Sequence, residues 1–142
     1  MSQTISALKT DAKAQLPTRA HPDDAGMDLY ALEGVTVQPG EGKMVRTGVA
    51  LSLPAGHVGL VADRSSLAKK GLKTAGGVID AGYRGEIQVV VWNLSREIIE
   101  VRAGDRCAQL LILPVILPQL VEVAAFEEVT HRGSGGFGST GV

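Results

Sequence analysis

At 142 residues and 14.8 kDa the chain is long enough for one domain with a core of its own. Its formal net charge of -1 excludes a global field for nucleic acid or an anionic membrane, and 4% aromatic content is too low for a row of base-stacking platforms. The single cysteine, Cys107, excludes an internal disulfide, and its apolar neighbours predict a buried, inert thiol suited to a reducing compartment. Neither a leader-like N-terminus nor a bilayer-length apolar run stands out, so a cytoplasmic protein is expected.

In chain order, residues 4–10 predict a first, weakly alternating strand, and the Pro-rich, polar residues 16–24 a loop. Residues 25–31 open on Gly26 and Asp28 and read as a strand; residues 35–37 form another, which ends at Pro39-Gly40-Glu41-Gly42. A strand over 44–53 is interrupted at Pro54-Ala55-Gly56 and resumes over 57–62. Residues 65–71, Ser-Ser-Leu-Ala-Lys-Lys-Gly, give the one helix expected, with a serine to cap it, lysines in its last turn and Gly71 to end it. Strands follow over 86–94, 98–101, 107–115 and 120–124. Short strands with turn signals at this spacing predict an all-β sandwich or jelly roll. Val89–Trp92 and Leu110–Ile116 are apolar on both faces, so something must cover the second face: the chain's own loops and second sheet, or a further copy of the chain.

Gly77-Val78-Ile79-Asp80-Ala81-Gly82-Tyr83-Arg84-Gly85-Glu86 carries the most chemistry. It reads as a tight β-hairpin whose glycine lets main-chain groups of Gly77 and Val78 face a ligand, with Asp80 as a proton acceptor and Tyr83 as a flat apolar surface at its mouth. The same residues also make an ordinary surface turn. The tail from Gly133 to Val142, with Phe137 among its glycines, is either a flexible end or a flap over phosphate groups and a ring.

Five segments in order bear on that choice: Ala25-Gly26-Met27-Asp28-Leu29, Arg64-Ser65-Ser66-Leu67-Ala68, Gly77 through Gly85, Gly104-Asp105-Arg106-Cys107-Ala108-Gln109, and Arg132-Gly133 through Gly141. Together they resemble the trimeric deoxyuridine triphosphate nucleotidohydrolases, the dUTPases. The resemblance implies a jelly-roll β-domain over residues 1–128 and a Gly-rich lid over 129–142 that is exchanged between the subunits of a homotrimer with shared sites. It also implies hydrolysis of dUTP to dUMP and pyrophosphate with Mg²⁺ chelated by the triphosphate. Asp80 is then the base that activates water, and Gln109 orients that water or the nearby phosphate. Arg64, Ser65 and Ser66 take the phosphates, Gly77 and Val78 the uracil edge, and Tyr83 the deoxyribose. Phe137 covers the base, and Arg132, Gly138, Ser139 and Thr140 close over the γ-phosphate. Asp28 is implied as an outer-shell partner of the metal, through water, or as an orienter of an arginine.

Three positions depart from the family pattern: Asp63 where many members carry proline, Gly82 where many carry a second acid, and Thr74 where some carry asparagine. The related dCTP deaminases need a glutamate three residues before an asparagine; with Asn93 in that role the position is Val90, which transfers no proton. A non-catalytic nucleotide sensor on the same fold would have no need of Asp80.

Overall fold

The computed structural model describes residues 3–138, 140 and 141. It is built from eleven short strands and one helix: β1 Ser6–Lys9, β2 Met27–Tyr30, β3 Val35–Val37, β4 Gly42–Arg46, β5 Val49–Ser52, β6 His57–Ala62, α1 Ser65–Lys69, β7 Leu72–Ala75, β8 Val78–Asp80, β9 Gln88–Asn93, β10 Ile99–Val101 and β11 Arg106–Pro114. All pairing is antiparallel. The largest sheet has the order β2-β11-β6-β8 and the next β4-β9-β7, while β1 pairs with β5 and β10 with β3. This is the expected all-β, jelly-roll-like sandwich with one short helix.

The core follows from strand alternation. Val89 and Val91 of β9 are buried, whereas the alternate residues Val90 and Trp92 lie on the other face, Val90 half-buried and Trp92 44% exposed. They pack with Leu29, Val37, Val45, Val49, Cys107 and Leu110, each side chain contributing roughly 1.5–3 kcal/mol of apolar burial for a full-sized aliphatic. Burial pushes the Cys107 thiol up to about 12, which keeps it the inert thiol expected.

Several elements differ from expectation. The strand over 44–53 is two strands in two sheets, because Thr47 and Gly48 turn the chain between them. Thr47 Oγ1 donates to the carbonyl of Ile87 at 2.6 Å, and Gly48 takes a left-handed φ of 67°. β7 was not expected; its inward residues are Leu72 and Thr74, and a buried threonine hides the apolar alternation. The predicted hairpin over 77–86 is not one, since β8 pairs with β6 while β9 pairs with β4 and β7. Arg64, not a serine, occupies the N-cap of α1, with no side-chain cap bond; Gly71 does follow the C-cap, with φ 96°.

No strand forms over 120–124 among the described residues. Beyond β11 the backbone makes a bond from Val115 N–H to the carbonyl of Gly56 and then runs on with Ile116 88%, Leu120 97% and Phe126 90% exposed. A strand needs a partner's donors and acceptors, and this segment reaches no sheet edge of its own chain.

Candidate active site

The register of the largest sheet assembles the first half of the site. Gln109 of β11 lies opposite Asp28 of β2 on one side and Ala62, the last residue of β6, on the other. Asp63 and Arg64 follow directly, so the second and fourth sequence segments meet beside the first. Between them is an open cleft of about 360 Å³ whose charged lining is Asp24, Asp28, Arg64 and Arg106.

Asp28 holds the two guanidiniums apart and in place. Its Oδ1 lies 3.1 Å from Arg64 Nε and its Oδ2 3.7 Å from Arg106 Nη1, and Arg64 also donates to the carbonyl of Arg106 at 3.3 Å. With both oxygens so engaged, Asp28 orients arginines. Ser65 and Ser66 are exposed in the first turn of α1, where no side-chain cap bond is made, and both line the cleft. Gln109 Nε2 donates to the carbonyl of Asp63 at 2.7 Å, and Gly26 leaves room for the other end of the carboxamide, since a Cβ there would collide with Gln109 Oε1.

A second cleft, of about 280 Å³, holds the third segment: Gly77, Val78, Asp80, Tyr83, with Met44 and Glu86 behind them. Gly77 has φ 94°, and a Cβ there would lie 2.8 Å from the carbonyl of Val61, so the position requires glycine. The carbonyl of Gly77 is not free, as expected of it, but accepts from Val61 N–H at 2.8 Å. Alternation of the antiparallel ladder then turns the N–H and C=O of Val78 outward from β8, the sheet edge. Asp80 is exposed and ends β8, with a turn closed by Tyr83 N–H on its carbonyl at 3.0 Å. The Tyr83 hydroxyl donates to the carbonyl of Glu86 at 2.9 Å, and its ring lies over Gly85, where a Cβ would come within 2.7 Å of Cζ. The Glu86 carboxylate accepts two bonds from Arg46, at 3.1 and 3.0 Å, and one from Thr10 at 3.3 Å; the Arg46 guanidinium holds its carboxyl below the usual carboxylate range, against burial.

Two of the three departures from the family pattern meet each other. Asp63 Oδ1 accepts from Thr74 N–H at 2.6 Å and Thr74 Oγ1 at 2.7 Å, and Oδ2 takes Lys73 Nζ at 2.7 Å. Burial alone would raise the Asp63 carboxyl; the bonds from Lys73 and Thr74 outweigh it and hold it below the usual range. Gly82 is exposed in the turn and touches nothing that a Cβ would disturb. Asn93, the residue a deaminase reading would use, is fully buried and spends its carboxamide on the carbonyls of Val37 and Glu97 and on Ser95.

Sequence reasoning gave no role to Arg106, Gly26 or Asp63; only the strand register shows what they touch. In the tail, Arg132 donates to the carbonyl of Gly135 at 2.8 Å, Phe137 is fully exposed at φ 50°, and Gly138 and Thr140 are exposed. Ser139 lies outside the described residues. Within one chain the two clefts are apart: Asp80 stands opposite Val58 and Gln109 opposite Ala62, on strands either side of β6. Four residues of strand are about 13 Å, beyond the reach of one water held by both. Among the described residues no three His, Cys, Asp or Glu side chains form a metal-binding group.

Two arginines fixed by a carboxylate, beside a glycine-edged strand that offers main-chain groups, on a β-sandwich with one short helix: this defines a β-domain with polar ligand clefts of nucleotide-handling type. The dUTPase family model matches residues 12–141. The chain belongs to the dUTPase family. It is 49% identical to the deoxyuridine 5'-triphosphate nucleotidohydrolase of Mycobacterium tuberculosis (strain ATCC 25618 / H37Rv), over 99% of this chain and 97% of the relative. The Mycolicibacterium gilvum (strain PYR-GCK) protein of the same name is 48% identical over the same shares. Among solved structures, a mutant Staphylococcus bacteriophage 80alpha dUTPase with dUpNHpp superposes with a TM-score of 0.92 at 33% identity, covering 99% of this chain and 100% of that one. A mutant dUTPase from phage phi11 of S. aureus, described with a structural Mg(II) ion, gives 0.84 at 30% identity over 89% and 100%.

Proposed function

We propose that the chain hydrolyses dUTP to dUMP and pyrophosphate, limiting uracil in DNA and supplying dUMP for thymidylate synthesis, in a site completed between the subunits of a homotrimer. The observation that carries this reading is the division of the site: a phosphate-facing cleft and a base-facing cleft lie on one chain, too far apart to act on one water. Stacking copies so that one chain's Asp80 meets another's Gln109 joins the halves. The exposed apolar segment after β11 supplies surface for that assembly, and light scattering should give about three times 14.8 kDa.

Asp80 takes the proton of a water whose oxygen bonds to the α-phosphorus as the bond to the bridging oxygen breaks and pyrophosphate leaves. A positioned base of this kind contributes on the order of 10²–10⁴-fold. Gln109 orients the water. Arg64, Ser65 and Ser66 hold phosphate oxygens, Arg64 with its guanidinium aimed by Asp28. Val78 presents its outward N–H and C=O to the uracil edge, with Gly77 setting its approach, and Tyr83 packs on the deoxyribose and leaves no space for a 2′-hydroxyl. The tail, residues 129–142, closes over the site: Phe137 on the base, Arg132, Gly138, Ser139 and Thr140 around the γ-phosphate. Mg²⁺, when chelated by the triphosphate, would offset part of its charge; Asp28, whose carboxylate is occupied by two arginines, would meet the ion only through water. No described helix is long and apolar enough to cross a membrane, and the buried Cys107 suits the cytoplasm.

The test is pyrophosphate release with Mg²⁺ from dUTP, dCTP, dTTP and UTP side by side. Release from dUTP alone is expected. No release from any of them, in a folded trimer that still binds dUTP, would make the protein a nucleotide sensor.

A further inference from the structure

Asp63 joins elements that belong to different sheets. Its carboxylate is fixed on β7 by Thr74 N–H, Thr74 Oγ1 and Lys73 Nζ, all within 2.7 Å, while its carbonyl takes the side chain of Gln109 on β11. Thr74 is 8% exposed, so its two bonds to Asp63 are shielded from water, whereas the Lys73 pair lies at the surface. A backbone carbonyl only accepts, so it must face the NH₂ of Gln109, and the carboxamide oxygen is turned the other way. The space at Gly26 agrees independently: what a Cβ there would strike is Gln109 Oε1, at the wall of the cleft.

We infer that Asp63 is a positioning residue for Gln109, its carboxylate, clamped to Thr74 and Lys73, fixing the peptide carbonyl that makes Gln109 present an acceptor oxygen to the cleft. Thr74 is then part of the same device, not of the base contacts, and the two departures from the family pattern compensate one another. An acceptor aimed into the cleft accepts a hydrogen bond from the attacking water and so directs its lone pair, whereas a donor there would hold phosphate. The catalytic half of this inference rests on the dUTPase reading above.

The experiment compares Asp63→Ala, Asp63→Asn, Gln109→Ala and the Asp63→Ala/Gln109→Ala double variant by kcat and KM for Mg-dUTP, with melting curves as controls. Asp63→Ala should lower kcat roughly tenfold or more with little change in KM, as misplacement of a catalytic group does. Asp63→Asn keeps an acceptor for Thr74 and should recover most of the loss. In the Gln109→Ala background Asp63→Ala should add less than about twofold, because the two act as one unit. Equal losses in both backgrounds, or an unchanged kcat in Asp63→Ala, overturns the inference while leaving dUTP hydrolysis standing. A readout that needs no turnover is the side-chain amide of Gln109 in protein labelled with ¹⁵N-glutamine, assigned by its disappearance in Gln109→Ala. It should be shifted and slow to exchange in the native protein and in Asp63→Asn, and move to the solvent-exposed position in Asp63→Ala. An amide that Asp63→Ala leaves unmoved refutes the positioning role even if no substrate is turned over.

Discussion

Replacing Gly26 with alanine probes the cleft with one methyl group. Gly26 is outside the left-handed region, so its backbone accepts alanine without strain. The added Cβ would stand 3.1 Å from Gln109 Cδ and 3.3 Å from Gln109 Cβ, and would collide with Oε1. Restoring ordinary contact moves the carboxamide by on the order of 1 Å and breaks its bond to the Asp63 carbonyl. Losing that bond costs about 0.5–1.5 kcal/mol, and the stiffer unfolded chain returns about 0.4–1 kcal/mol. Net stability should therefore change by no more than about 1 kcal/mol, or about 3 °C in Tm for a chain of this size. Turnover should suffer far more, since a displacement of about 1 Å costs up to about 10²-fold. The assay is steady-state pyrophosphate release from Mg-dUTP beside a thermal melt: kcat down by about 10- to 100-fold, KM nearly constant, Tm nearly constant. A kcat within about twofold of the native value would show that the orientation of Gln109 does not matter to the reaction.

Asp80→Asn should bind a non-hydrolysable dUTP analogue as the native chain does and lose about 10²–10⁴ in turnover; near-normal turnover would remove Asp80 as the base. Truncation after Glu128 should leave the assembly intact by light scattering and cut activity severely, and a fully active truncated chain would make residues 129–142 a mere end. Glu86→Gln should alter the acid limb of stability. The native carboxyl is held low, so its contribution is complete above the unfolded value, about 4.3, and fades as pH falls through the lower folded value. Melting curves from about pH 6 to pH 3 should therefore be flatter for the glutamine variant; parallel curves would mean that the Arg46 pair does not stabilise the fold.

Much of the sandwich was legible because many strands bury one face, and apolar–polar alternation such as Val35-Thr36-Val37 and Ile99-Glu100-Val101 announces that, whereas Val89–Trp92, apolar throughout, hides which of its faces is inward. It was illegible where a polar side chain turns inward. Thr74 hid β7, and Thr47, bonded to Ile87, hid the break between β4 and β5. Residues 77–86 look like a hairpin because hairpins and sheet-to-sheet crossings share turn residues; only long-range pairing separates them. The apolar run over 120–124 has strand composition but no partner edge in its own chain. That Arg64-Ser65-Ser66 and Gln109 belong to one cleft was readable from them as segments. Its supports, Gly26 and the Asp63 clamp, depend on which strands lie side by side, a relation between residues far apart in sequence.

The charges that line the cleft beside α1 are two arginines, Arg64 and Arg106, and two aspartates, Asp24 and Asp28, so formally they cancel. Such a pocket casts almost no field beyond its rim. A polyanion's encounter with the cleft should then depend little on ionic strength. Selection would then fall on contacts inside the cleft rather than on the field around it.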